Sequence, residues 1–150
     1  MYAIEKKKIK PMKKIILLLL TTLILTSFNE YPTSEFSIVG KWKGEDEKDI
    51  GYITFQDDGY AYFEFQGQII GGKEFVVNGK KGTMTYEVNY LKTPIEIDII
   101  VQKIESGEIN KLLCIVENIE KNVIKLQMDF NGNRPIEFDD KEAIIFQRVE

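Results

Sequence analysis

From about Ile38 to Val149 the chain alternates apolar and polar residues with a period of two, and clusters of turn-forming residues interrupt that alternation every few residues. Successive side chains of a strand point to opposite faces, so a chain written this way builds sheet with one apolar face. No amphipathic helix is available to cover that face. The sheet must pair with a second one or curl on itself, and curling also removes the exposed edges. The alternation predicts strands over 38–44, 50–56, 60–66, 74–77, 83–89, 95–103, 112–119, 123–130 and 142–149. Asp57-Asp58-Gly59, Asn78-Gly79 and Lys121-Asn122 are hairpin signals. Sequential hairpins without a long crossover favour one antiparallel up-and-down β-barrel of eight to nine strands over a Greek-key sandwich. Residues 67–72, Gly-Gln-Ile-Ile-Gly-Gly, are expected to form a flexible apolar loop at the rim. Residues 112–119 are apolar on both faces and are expected to be covered on both.

The first 28 residues follow a different rule. Six lysines precede the apolar run Ile-Ile-Leu-Leu-Leu-Leu-Thr-Thr-Leu-Ile-Leu over 15–25, which gives way to Thr26 and Ser27. Charge, short apolar run and small polar residues in that order make a signal peptide. Eleven helical residues reach about 16 Å, short of a hydrocarbon core of roughly 30 Å, so no permanent membrane span is expected in the mature form. Met12 opens a compact bacterial-looking leader of its own and is a possible true start. No cysteine follows the run, which removes a lipoprotein anchor. The expected organisation is a leader over 1–28, a polar linker over 29–36 and the barrel over 37–150, exported to the periplasm or beyond.

Composition narrows the function. Of 20 basic and 24 acidic residues, the leader takes six Lys and one Glu, leaving 14 and 23 and a net charge near −9. An acidic domain repels phosphate backbones, so no nucleic acid partner is expected. The chain has no histidine, which removes imidazole acid-base chemistry, His-activated nucleophiles and His-ligated zinc. The single cysteine, Cys114, lies in Leu-Leu-Cys-Ile-Val and reads as a buried small hydrophobe. Asp57-Asp58-Gly59 runs into Tyr60-Ala61-Tyr62 rather than further oxygen ligands, so a turn is expected there and no metal. No cofactor and no catalytic residues are expected.

Gly40-Lys41-Trp42 stands at the start of the first strand, and Arg148 lies in the last, in phase with Ile144 and Phe146. This pairing resembles the Gly-x-Trp signature of the lipocalins, and Arg134-Pro135-Ile136-Glu137-Phe138 is similar to the Arg-Pro-x-x-Phe approach to the final strand of small secreted bacterial lipocalin-like domains. The resemblance spans about 39–149. It implies that Gly40, Trp42 and Arg148 form the closed base of the barrel, with the guanidinium over the indole, as a structural rather than ligand-binding group.

The inward positions carry Phe55, Phe63, Phe65, Phe75, Met84, Tyr86, Met128, Phe130, Phe138 and Phe146. Of these, Phe55, Phe63, Phe65, Met84, Tyr86, Met128 and Phe146 are the candidate lining of an apolar pocket, with the Tyr86 hydroxyl orienting a ligand. The expected function is binding of a small hydrophobic or amphipathic ligand. The alternative is a side-chain-filled barrel that acts as an envelope protein-binding or inhibitor module through Tyr60, Tyr62 and the 67–72 loop.

Overall fold

A computed structural model describes residues 36–44 and 50–149. The leader over 1–28, the linker up to residue 35 and the acidic turn over 45–48 lie outside the described residues. Nine strands follow one another: β1 (Gly40–Gly44), β2 (Ile50–Phe55), β3 (Ala61–Phe65), β4 (Gln68–Val77), β5 (Lys80–Asn89), β6 (Ile95–Lys103), β7 (Ile109–Glu120), β8 (Val123–Asp129) and β9 (Ile144–Val149). They close into a barrel in chain order, and there is no helix among the described residues. The all-β, up-and-down reading therefore holds.

Closure imposes a parity condition that the chain meets in one strand. Every neighbouring pair is antiparallel, including β9 with β1. Nine straight strands cannot alternate in direction around a ring, since an odd count leaves one like-directed pair. Tyr60, just before β3, bridges Thr85 of β5 directly and antiparallel, so it is β4 that changes direction. Its first half pairs with β3 through Tyr62↔Gly71 and Phe65↔Gln68, and its second half pairs with β5 through Phe75↔Gly82 and Val77↔Lys80. The corner is Gly71-Gly72, with φ of 133° and 77°. No side chain fits: a Cβ on Gly71 would run into the Ala61 carbonyl oxygen, and one on Gly72 into the Tyr62 ring.

This corner overturns the expectation of a flexible loop over 67–72. Gln66 and Gly67, with φ of 47° and 76°, make a two-residue turn, and Gln68 onward is strand. Asn78 and Gly79 (φ 51° and 74°) turn the next hairpin with the same signs, as the Asn-Gly signal predicts.

Inside, Trp42, Ile53, Phe55, Ala61, Ile97, Ile99, Cys114, Val116, Ile124, Leu126 and Phe146 are almost wholly buried and form one cluster. Each fully buried Ile, Leu or Phe contributes about 1.5–3 kcal/mol relative to exposure. Burial also pushes the Cys114 thiol up to about 12, against a smaller opposing pull from Arg134, so it is an inert core group.

Residues 130–143 form a strap across the outer face of β6, β7 and β8. Arg134 donates to the carbonyl oxygens of Cys114 (2.7 Å) and Ile97 (3.3 Å) and pairs with the Asp98 carboxylate. The backbone N–H of Asp139 donates to Gln127 Oε1 (2.7 Å), and Lys125 Nζ sits 5.2 Å from the Phe138 ring centre. The strap accounts for the outward side chain of Ile115 being only 1% exposed. Cover on both faces stops there, because Glu117, Asn118 and Ile119 are exposed. Two aromatics expected inside are elsewhere: Phe138 belongs to the strap, and Phe130, the residue after β8, is 78% exposed.

Candidate functional site

The register fixes two ends. Gly40, Phe55, Ala61, Ile95, Val123 and Val149 lie toward one, which we call the base; Gly44, Phe65, Lys103, Ile109, Asp129 and Ile144 lie toward the other, the mouth.

At the base, Trp42 is fully buried and pairs across the sheet with Arg148, whose guanidinium lies 4.0 Å from the indole centre. A cation over an indole adds about 0.5–2 kcal/mol, depending on desolvation. The indole N–H donates to the Ile38 carbonyl oxygen at 2.8 Å, and Arg148 donates to the carbonyl oxygens of Ser37 (2.7 Å) and Val39. Gly40 is glycine because a Cβ there would strike that guanidinium. Phe36 stacks toward both Trp42 (6.4 Å) and Tyr90 (6.3 Å), and the Tyr90 hydroxyl accepts from the Ile38 N–H at 3.1 Å. Gly40, Trp42 and Arg148, which the resemblance groups at a closed base, are thus in mutual contact. An open hollow of about 620 Å³ lies outside this plug, between Phe36, Asn118, Lys121 and Arg148. It is broader than the mouth pocket, but it is a polar surface hollow and not part of the interior.

The candidate lining divides. Phe55, Met84 and Phe146 are at most 4% exposed and belong to the filled core. Tyr86 does not present its hydroxyl to a ligand. That group donates to the Gln56 carbonyl oxygen at 2.7 Å, the ring meets Phe55 edge-on at 4.9 Å, and burial raises its pKa. Phe63, Phe65 and Met128 remain, and together with Ile70, Leu112 and Phe130 they line a pocket of about 300 Å³ at the mouth. All six lining residues are apolar.

Two wall residues were hidden in the sequence. Ile70 reaches the pocket because β4 runs beside β3 before its corner, which a loop reading conceals. Leu112 sits in a stretch apolar on both faces, where alternation does not say which side is inside. Only the register with Ile99 places it on the inner face.

The expected protein-binding tyrosines are not free-standing. Tyr60 and Tyr62 are half-buried, Lys73 lies 5.3 Å over the Tyr60 ring, and Tyr62 packs against the Gly72 backbone. Exposed apolar side chains toward the mouth include Phe130 (78%), Ile69 (67%) and Ile109 (55%).

Compared with known proteins, the chain matches no family model and no curated protein. The closed antiparallel barrel is compatible with a lipocalin-like fold.

Proposed function

We propose that the protein is an exported, non-enzymatic, lipocalin-like barrel that holds one small hydrophobic or amphipathic molecule at its mouth. The observation that carries this reading is the wholly apolar pocket of about 300 Å³ beside a filled core. Its volume is at the lower limit of ligand pockets, which suits an aromatic ring or a short alkyl chain and excludes a bulky lipid. The basic and apolar leader supports export, and Gly40-Lys41-Trp42 with Arg148 supports the lipocalin-like assignment.

Native mass spectrometry of the protein released by its host tests the reading. An added mass lost on denaturation, or saturable binding of an uncharged naphthylamine dye, is expected. Alkyl alcohols should displace the dye about fourfold better per added methylene until the pocket is full, from about 0.8 kcal/mol per buried CH₂. A bare mass with no dye binding would overturn it. That result would favour the second reading, a non-enzymatic envelope protein-binding or inhibitor module, which the exposure of Phe130 and Ile69 at the mouth supports.

A further inference from the structure

The mouth pocket ends at Phe130, and the chain neighbours of Phe130 belong to a second cavity. Asp129 and Asn131 line a groove of about 480 Å³ that runs between β8 and the strap. Met128 borders both cavities, so they adjoin across the rim. Their chemistry is opposite. The mouth is lined only by carbon-rich side chains, whereas the groove adds the carboxylates of Glu137, Asp139 and Glu142 to that of Asp129 and has no lysine or arginine in its lining.

Three basic groups around it are engaged elsewhere, and Lys141, in the strap between Asp139 and Glu142, donates its backbone N–H to Asp139 Oδ1 at 2.9 Å. Lys125, outward on β8, is paired with Asp140 at 2.7 Å; Lys111, next to Leu112, is paired with Asp98 at 3.1 Å; and Arg134 is held by Asp98 and two carbonyls. Asp129 Oδ1 accepts from the Asn131 N–H at 2.7 Å and has no ion-pair partner among the described residues. The groove lining thus carries four carboxylates with Lys141 beside them in the strap, so a molecule seated tail-first in the mouth meets an excess of negative charge where its polar end emerges.

We propose that the ligand is a cationic amphiphile, with an alkyl or aryl group in the mouth and an amine or ammonium group over the rim among Asp129, Glu137, Asp139 and Glu142. This rests on the reading of the mouth as a ligand pocket and adds the charge of the head group. An anionic head would be repelled at the same place. Fatty acids are therefore the wrong class for this barrel, although the pocket itself would accept a short alkyl tail.

The test is displacement of the uncharged dye from the protein purified from its host, by three ligands of one tail length: octylamine, octanol and octanoate. At pH 7 the amine is protonated and the acid ionised. The amine should bind roughly fivefold tighter than the alcohol and the acid weaker than either, since one exposed ion pair is worth about 0.2–1 kcal/mol and several carboxylates face the head. Raising the salt should narrow the spread. Asp129→Asn and Glu137→Gln, alone and together, should reduce the amine preference while leaving octanol affinity unchanged. Equal binding of the three ligands, or tighter binding of octanoate, overturns the charge assignment and leaves the pocket standing. Failure of the dye itself to bind overturns the pocket and this inference with it.

Discussion

The two ends of the barrel are built from the same inward aromatic and aliphatic residues, yet one end is complete and the other is not. At the base every polar group brought indoors has a partner within the chain: the Trp42 N–H has Ile38, Arg148 has Ser37 and Val39, and the Tyr86 hydroxyl has Gln56. The rings there meet one another edge-on or under a cation, and little room is left. At the mouth, Phe63, Phe65, Ile70, Leu112, Met128 and Phe130 converge without filling the space between them. A close-packed interior is the rule, because dispersion is lost wherever a wall has nothing opposite it. The unfilled apolar mouth is the feature on which the proposed ligand reading rests.

The largest expected effect comes from breaking the complete end. Trp42→Ala removes the plug and leaves a cavity beneath Arg148, at a cost of about 3–5 kcal/mol. A thermal melt should show a drop of many degrees. Unchanged melting would mean the base is not the stability centre, and the contrast between the ends would fail. Substituting Gly71 by Ala strikes the corner that lets nine strands close. A side chain at positive φ, directed at the Ala61 carbonyl, should cost about 1–3 kcal/mol by denaturant titration. A neutral result would show that β4 can turn without that close approach.

A smaller effect is expected at the strap, which leaves β8 and re-enters β9 on the mouth side and covers the outer face of β6, β7 and β8. Asp98 is desolvated, which alone would raise its pKa, but hydrogen bonds from Arg134 and Lys111 and their charges more than offset this and hold the carboxyl below its usual range. Because the folded-state value is the lower one, the stabilisation is fully present above the unfolded carboxylate pKa of about 3.9 and is lost as pH falls below it. Asp98→Asn should cost about 1–2 kcal/mol at pH 7, and the gap between variant and parent should narrow as pH falls below about 3.9 and vanish once it has passed the lowered folded-state value. A gap that persists in acid would mean the cost was one of packing rather than charge.

These features were unequally legible in the sequence. The strands and their order could be read from alternation, since a half-buried strand forces period two on its residues. Gly40, Trp42 and Arg148 could be placed together only through their resemblance to the lipocalin Gly-x-Trp signature and its partner Arg in the last strand. The β4 corner could not be seen, because Gly71-Gly72 has the same signature whether the chain loops freely or folds tightly against Tyr62. Phe130 and Phe138 were misplaced for a related reason. Alternation continues past the end of β8 into the strap, but a residue faces inward only while its strand still has neighbours to define an inside. Nor does periodicity separate filling from lining: Phe55 and Phe63 both occupy inward positions, and only the side chains opposite them decide that one is core and the other pocket wall.

The smallest effect on stability should fall on Phe130, a wall residue of the proposed binding pocket. Phe130 is 78% exposed and lies at the rim, so Phe130→Ala should change the free energy of unfolding by no more than about 0.5 kcal/mol. The same substitution removes one of six side chains from the mouth wall and should weaken dye binding several-fold, while Phe55→Ala, deep in the filled half, should do the reverse and destabilise by about 3–5 kcal/mol. Measuring both quantities on both variants separates the ends in a way neither does alone. If Phe130→Ala melts early or binds the dye as well as the parent, the mouth is not an unfilled binding surface. An aromatic ring left this exposed on an otherwise closed barrel would then have to be explained by a protein partner.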